Sequence, residues 1–196
     1  MKKTVLLPVI AILLAAAVLL GASWGLRGVA EKNAQAEHLR ILQTLLPGST
    51  EFTREPYAGE DASIRSVHKG ETGFVVETVT GGYAGPITML VSVSHEGKVI
   101  GLVIRDMSET VGLGWNALTD HEFLAQFLNT EGDVAIHVQA DAFSGATGSS
   151  DTENSTYVDG ITGATVTSKA IARSINAAVA YVTGADVDSG ATSWGG

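Results

Sequence analysis

Asp159-Gly160-Ile161-Thr162-Gly163-Ala164-Thr165-Val166-Thr167-Ser168 is the segment from which the organisation of this chain can best be inferred. It is rich in hydroxyl groups and glycine, and an amphipathic pattern follows at once, with apolar residues at Ile171, Ile175, Ala178, Val179 and Val182. The spacing predicts a helix that begins within this segment. The first N–H groups of a helix have no intrahelical partner, so together with the helix dipole they favour a bound phosphate. Thr165 lies where such a ligand would be held, with its hydroxyl close enough to be bonded to it.

The residues before this segment predict a mostly antiparallel sheet. Residues 73–79 are β-branched and alternate in polarity, and residues 87–94 form a second apolar run. His95-Glu96-Gly97 is a turn signal, after which residues 98–106 return as a third strand, so we expect a β-hairpin here. A short strand is expected at 134–138, and the polar residues 140–160 are expected to form a long exposed loop. Thr119, with Glu122 three residues later, predicts a helix start with a capping box.

The amino-terminal region predicts a membrane anchor. Residues 4–26 contain no charged side chain, and roughly 20 apolar residues suffice to cross a bilayer. A cleaved signal peptide is the alternative, although the run exceeds the usual signal-peptide core. We therefore expect an α+β protein with an anchor at 1–27, a stalk helix at 28–48, a domain at 49–184 and a flexible tail at 185–196. Lys2 and Lys3 favour a cytoplasmic amino end, which would place the domain on the periplasmic or extracytoplasmic side.

Composition excludes several kinds of function. The formal net charge of −9 argues against nucleic acid as a partner, because phosphate contacts require lysine and arginine. The chain has no cysteine, which excludes disulfides, thiolate metal sites and protein-held iron–sulfur clusters. The five histidines show no metal-ligand spacing, so no metal site is expected. Any redox chemistry must therefore come from an organic cofactor.

The motif at 159–165 resembles the pattern Asp-x-x-(Ser/Thr)-Gly-Ala-Thr of bacterial FMN-binding domains. In that family the last threonine carries FMN through a phosphoester bond, so the resemblance implies Thr165 as the acceptor. Considered alone, the same residues would also suit a simple helix cap. Asp141-Ala142-Phe143-Ser144-Gly145-Ala146-Thr147 satisfies the pattern too, but no helical pattern follows it. We favour Thr165 and keep Thr147 as an alternative or additional attachment site.

Two further segments resemble loops of the same family. Gly82-Tyr83-Ala84-Gly85-Pro86-Ile87 matches a Gly-Tyr-x-Gly-Pro-Ile loop, and Glu109-Thr110-Val111-Gly112-Leu113-Gly114 matches a Glu-Thr-Pro-Gly-Leu-Gly loop. Val111 replaces the usual proline, which loosens the loop because proline fixes φ. With the anchor and the order of strands, the resemblance extends over nearly the whole chain. It is similar to the FMN-carrying G subunits of Rnf electron-transport complexes and, more weakly, to the C subunits of sodium-pumping NADH:quinone reductases.

The resemblance implies electron transfer within a membrane complex that couples electron flow between ferredoxin and NAD to ion translocation. The chain would be a redox subunit and not a self-sufficient enzyme, so no catalytic residue is predicted. Its partners would be the other membrane subunits and a flavin transferase that attaches FMN. A stand-alone anchored flavoprotein and a non-redox anchored binding domain remain alternatives. The implied cofactor-binding residues are Thr162, Gly163, Ala164, Thr165, Thr167, Glu109 and Thr110.

Overall fold

The computed structural model describes residues 3–59, 61–112, 114–130, 135–139 and 155–184. The chain divides into two compact units, Met1–Ile41 and Leu42–Gly196. Helix α1 is continuous over Lys3–Leu45, and the predicted boundaries at residues 27 and 48 stay predictions. Among the residues described together with their side chains, no helix is long and apolar enough to cross a membrane. Thr147 and the predicted tail lie outside the described residues.

Five strands form an antiparallel sheet in which each strand pairs with its neighbour in the sequence. They are β1 (Thr53–Glu55), β2 (Ile64–Lys69), β3 (Gly73–Gly81), β4 (Pro86–Ser94) and β5 (Val99–Met107). The predicted hairpin is confirmed as β4 and β5, and Gly97 in its turn has φ 87°. Strand β2 was not predicted, because a register shift between Ile64 and Ser66 interrupts the alternation that identifies a strand. The expectation of a mostly antiparallel sheet is confirmed.

The main core lies between one face of this sheet and helix α4 (Thr165–Thr183). Alternate residues of β4 contribute Ile87, Met89, Val91 and Val93, all fully buried. The predicted apolar stripe of α4 is confirmed for Ile171, Ile175, Ala178 and Val179, whereas Val182 is only partly buried. Burial of each large apolar side chain contributes roughly 1.5–3 kcal/mol, so packing along its length fixes the helix that carries the motif.

The opposite face of the sheet packs against the chain around the end of α1. Leu42, Leu45 and Leu46 are buried, and the hydroxyl of Ser92 in β4 donates to the carbonyl of Leu45 at 2.6 Å. The helix ends before Pro47, as the Pro-Gly signal predicted, and Gly48 has φ 90°. A buried hydrogen bond therefore supplements the apolar contacts on this second face.

Two short helices follow β5, namely α2 (Gly114–Thr119) and α3 (His121–Ala125). The predicted capping box is wrong by one residue, because Asp120 is the N-cap and its Oδ1 accepts from the amides of Glu122 and Phe123. Thr119 instead ends α2, and its hydroxyl donates to the carbonyl of Trp115 at 2.9 Å. Aspartate caps at least as well as threonine, which explains the shift.

The remaining strands, β6 (Ala135–Gln139) and β7 (Ser155–Asp159), form a separate parallel pair. Strand β6 confirms the predicted short strand. Strand β7 corrects the expectation of a loop up to residue 160, because residues 155–159 pair with β6 and Val158 is buried in the core. Its sequence Ser-Thr-Tyr-Val is favourable for a strand, but it was not predicted because it lies within the polar segment 140–160. Strand β7 leads directly into the threonine motif.

Candidate functional site

The motif at 159–165 is the connection between β7, which ends at Asp159, and α4, which begins at Thr165. Gly163 has φ 80°, a conformation that glycine adopts without the strain of a Cβ. The amide of Ala164 donates to the carbonyl of Ile161 at 2.9 Å, and that of Ser168 donates to Ala164 at 2.8 Å. The chain thus makes a tight turn and enters the helix at Thr165.

The start of α4 lacks a side-chain cap. Ala164 occupies the N-cap position, where serine, threonine, asparagine or aspartate would normally accept a bond from the first turn, and no side chain makes that bond. The first intrahelical bond is donated by Ser168, so the amides of residues 165–167 have no partner within the helix. Thr165 is half-buried, and Thr162 and Gly163 are exposed. This end of the helix can therefore accept an anion from solvent.

The Gly-Tyr loop, residues 82–85 between β3 and β4, is fastened to Glu109. The amide of Gly82 donates to the carbonyl of Gly85 at 2.8 Å and closes the turn. Glu109 Oε1 accepts from the amide of Tyr83 at 2.7 Å, and Oε2 accepts from that of Ala84 at 3.4 Å. A Cβ on Gly82 would collide with Oε1 of Glu109, so the glycine is required for space.

Gly114, the first residue of α2, brings the Glu109 loop against the first turn of α4. A Cβ on Gly114 would collide with both Oε2 of Glu109 and Oγ1 of Thr167. Thr167 is fully buried, and its Oγ1 has no hydrogen-bond partner in the described part of the chain. Such a buried, unsatisfied hydroxyl costs about 1–3 kcal/mol unless a ligand or water satisfies it. The Gly-Tyr loop, the Glu109 loop and the first turn of α4 are distant in sequence but meet near Thr167, two residues after Thr165.

Exposed apolar side chains lie on the same loops. Tyr83 is 66% exposed and Val111 is 78% exposed, although both are large and apolar in character. Trp115, whose amide donates to the carbonyl of Thr110 at 3.2 Å, is 38% exposed. It lines an open cleft of about 270 Å³ together with residues 104–107 of β5. The loops around the start of α4 therefore offer apolar surface to a flat aromatic ligand or a partner.

The predicted site residues fall into three groups. Thr165, Ala164 and Thr167 lie at the start of α4, with Thr162 and Gly163 in the turn before it. The Glu109 carboxylate faces the Gly-Tyr loop, and Thr110 is exposed. Sequence reasoning missed Gly114 as a contact to α4 and the amides of Tyr83 and Ala84 as partners of Glu109. Backbone amides carry no residue-type signal, so only the resemblance of the two loops pointed to this region.

The chain matches the FMN-binding domain family over residues 82–152 and 148–180. These ranges contain the Gly-Tyr loop, the Glu109 loop and the Thr165 motif. A solved structure, that of the C subunit of the Na⁺-translocating NADH-quinone reductase of Parabacteroides distasonis, is similar with a TM-score of 0.49 and 19% identity, covering 69% of this chain and 78% of that one.

Three curated relatives are G subunits of redox complexes. The G subunit of the proton-translocating ferredoxin:NAD(+) oxidoreductase complex of Clostridium ljungdahlii is 39% identical over 56% of this chain and 53% of that protein. The G subunit of the ion-translocating oxidoreductase complex of Methanosarcina acetivorans is 30% identical over 77% of this chain and 78% of that protein. The G subunit of the Na(+)-translocating ferredoxin:NAD(+) oxidoreductase complex of Acetobacterium woodii is 32% identical over 55% of this chain and 47% of that protein.

The match thus spans about half the length of the first and third of these relatives and over three quarters of the second. The family match covers the strands, loops and helix that build the site around Thr165. On these grounds the chain belongs to the FMN-binding domain family, and its relatives at 30–39% identity are G subunits of ion-translocating oxidoreductase complexes.

Proposed function

We propose that this chain carries FMN, joined through its phosphate to the hydroxyl of Thr165, and transfers electrons within a membrane-bound Rnf-type complex. The observation that carries the cofactor assignment is the uncapped start of α4. Its first residue is the threonine of the family motif, and the amides of its first turn, which have no partner within the helix, are the kind of donor that a phosphate requires.

The residues at this position fit an esterified phosphate. A phosphodiester keeps one negative charge, and the start of a helix carries roughly half a positive charge from its dipole. The unsatisfied hydroxyl of Thr167 lies in the same turn and offers a further donor. The exposed Thr162 and Gly163 leave the approach open. The Glu109 carboxylate bonds to the Gly-Tyr loop, so its charge is partly offset by amides there.

Attachment requires a flavin transferase. The Oγ1 of Thr165 forms a bond to the flavin phosphorus, and the bond from phosphorus to a leaving group breaks. A donor whose flavin phosphate is activated as a phosphoanhydride supplies that leaving group, and a base on the transferase takes the hydroxyl proton. No electrons are transferred in this step. Thr165 directly follows the turn and is only half-buried, so a second protein could reach its hydroxyl.

Bound FMN would supply one- and two-electron redox chemistry, and the chain would contribute position and environment. The helix start would anchor the phosphate, while the 82–85 loop, residues 109–112 and Gly114 would lie beside the rest of the ligand. Thr110 is exposed beside these loops and is available to the ribityl chain or the ring. The chain would turn over no substrate by itself, which suits a carrier between neighbouring subunits.

The placement in a complex rests on the relatives, which are named as subunits of such assemblies. We propose that the uncharged residues 4–26 anchor the chain in the cytoplasmic membrane as a single pass. Lys2 and Lys3 favour a cytoplasmic amino end, which would put the domain on the extracytoplasmic side. Covalent attachment suits that side, because lost FMN could not readily be replaced there.

Intact-mass measurement of the protein from its native host tests the cofactor assignment. We expect one FMN per chain, fluorescent on a denaturing gel, lost in Thr165→Ala and retained in Thr147→Ala. Loss only in Thr147→Ala would move the attachment site, and a bare protein would refute the assignment. The same mass shows whether residues 1–27 are retained. Purification in mild detergent should recover the other proteins of the complex, whereas a chain recovered alone would indicate a stand-alone flavoprotein.

A further inference from the structure

We propose that Glu109 is a positioning residue that holds the Gly-Tyr loop closed over the site without touching the flavin. The effect on the loop is independent of any cofactor, whereas its consequence for FMN rests on the function proposed above. Glu109 would then act through the amides of Tyr83 and Ala84, and not as a ligand of the ring.

The hydrogen bonds of the carboxylate support this role. Its Oε1 accepts from the amide of Tyr83 at 2.7 Å, which is the short distance typical of a bond to a charged acceptor. Its Oε2 makes a longer bond of 3.4 Å to the next amide, that of Ala84. The two residues lie more than 20 positions from Glu109 in the sequence, and the pairing of Ile87 with Met107 brings the two loops side by side but ends before Tyr83 and Ala84. The carboxylate therefore fastens the tip of the Gly-Tyr loop beyond the end of the paired strands.

The space around the carboxylate is closed on two sides by glycines. A Cβ at Gly82 would meet Oε1, and a Cβ at Gly114 would meet Oε2 as well as the hydroxyl of Thr167. Neither glycine has a positive φ, so their absence of a side chain serves close approach and not backbone conformation. The chain thus keeps both sides of the carboxylate free of side chains, as expected if its position matters.

The Glu109 carboxylate and its two hydrogen bonds lie close to the proposed attachment site of the cofactor. Gly114 contacts Thr167, and Thr167 lies two residues after Thr165 in the first turn of α4. A flavin tethered at Thr165 must extend from this turn, past loops whose exposed side chains include Tyr83. When Glu109 is lost, the amides of Tyr83 and Ala84 lose their acceptor and the loop opens. The ring then becomes more accessible to water while the phosphate stays attached.

Amide hydrogen exchange of the protein made without flavin transferase tests the loop directly. We expect Glu109→Ala to accelerate exchange of the amides of residues 82–85 at least about tenfold, since a bond to a charged acceptor is worth about 1.5–3 kcal/mol. Glu109→Gln keeps one acceptor oxygen and should show a smaller increase. Glu51→Ala, at an exposed glutamate between α1 and β1, is the matched control and should leave this exchange unchanged. Unchanged exchange in Glu109→Ala overturns the proposal whether or not FMN binds.

The flavin-loaded full-length protein tests the consequence. We expect Glu109→Ala to retain covalent flavin, to increase quenching of its fluorescence by iodide several-fold and to reduce its visible circular dichroism. Gly114→Ala displaces the carboxylate while Glu109 remains, so the flavin that it carries should show the same increase in quenching, although its Cβ also meets Thr167 Oγ1. A shifted flavin potential in Glu109→Gln with unchanged exchange and quenching would mean direct contact with the ring and would overturn the positioning role. Wild-type protein without flavin would refute the proposed function and leave the exchange result standing.

Discussion

The hydroxyls of Thr80 in β3 and Ser174 in α4 lie 2.9 Å apart, and both side chains are buried. Thr80 also donates to the carbonyl of Ala170 at 3.1 Å, so the strand is bonded to two successive turns of the helix. Thr80 lies two residues before the Gly-Tyr loop, and Ser174 belongs to the helix that begins at Thr165. This contact therefore fixes the helix start relative to the loop.

We expect Thr80→Val to lower the free energy of unfolding by about 1–2 kcal/mol, because it leaves the buried hydroxyl of Ser174 without this partner. Ser174→Ala should lower it by about 1 kcal/mol, because Thr80 keeps its bond to the carbonyl of Ala170. The double variant should cost less than the sum of the two by about 1 kcal/mol, since the shared bond is lost only once. Urea denaturation of all four proteins measures this. Strictly additive losses would mean that the two hydroxyls do not interact.

Gly82→Ala should be destabilising by about 1–3 kcal/mol, because its Cβ would collide with the Glu109 carboxylate and lie 2.8 Å from Cδ1 of Ile87. The neighbouring Gly81→Ala is the matched control, since a Cβ there meets nothing within 4 Å. Its effect should stay within about 0.5 kcal/mol. Chemical denaturation compares the pair, and equal effects at both glycines would contradict the close packing at Gly82.

Thr167→Val should raise the free energy of unfolding of the flavin-free protein by about 1 kcal/mol, because valine has the same shape and removes an unsatisfied hydroxyl. Thr78→Val is the control, since Thr78 Oγ1 is also fully buried without a described partner. Both variants should be stabilised, but only Thr167→Val should reduce the covalent flavin found by mass spectrometry. Equal amounts of covalent flavin in the two variants would show that the Thr167 hydroxyl does not contribute to the phosphate site.

The raised pKa of Tyr181 predicts that the folded protein loses stability at alkaline pH. Burial raises its pKa above the ordinary value of 10.0, and its hydrogen bond of 3.0 Å to the Glu55 carboxylate raises it further, with Tyr57 contributing in the same direction. The folded protein therefore retains a proton that the unfolded chain releases near pH 10. Stability from this group is complete below that pH and declines as the pH rises through the folded pKa.

Tyr181→Phe should therefore flatten the decline in unfolding free energy measured by urea denaturation between about pH 9 and 11. Lys69 also faces Glu55, at 3.8 Å, and is present in both proteins. The comparison between wild type and variant isolates the tyrosine. Identical slopes in the two proteins would show that folding does not raise the pKa of Tyr181.

The proposed orientation can be measured without background, because the chain contains no cysteine. We expect Glu51→Cys in intact cells to react with a membrane-impermeant maleimide, since the residue is exposed at the start of the domain. A cysteine placed beside Lys2 should react only after the cells are broken. The reverse pattern would place the domain in the cytoplasm.

The hairpin and the last helix were predictable, because their residues alternate or repeat at a single clear period. The helix after Thr165 shows its buried stripe in Ile171 and Ile175, and the β4–β5 turn is marked by Gly97. Strand β2 and strand β7 were not, because a bulge near Ser66 and a polar context before Val158 conceal them. Periodic patterns in the sequence therefore identify regular, half-buried helices and strands, but they do not identify strands that are interrupted by a bulge or set in a polar segment.

The site divides in the same way. The motif containing Thr165 was found because its residue types are unusual and adjacent. The contact of Gly114 with Thr167 depends on how α2 meets α4, and the bonds from Tyr83 to Glu109 use a backbone amide. Neither relationship leaves a trace in spacing or composition. Tertiary packing creates them, so only the folded structure could identify them.

The order of the strands has a consequence for biosynthesis. Since β2 to β5 each pair with the preceding strand, the sheet can assemble from local contacts as the chain emerges from the ribosome. Helix α4 follows the sheet in the sequence and needs that sheet in order to bury its apolar side, so the threonine-bearing turn can form only after β5 has been synthesised. Chains that end before α4 would thus lack the finished turn and would offer no ordered site at Thr165.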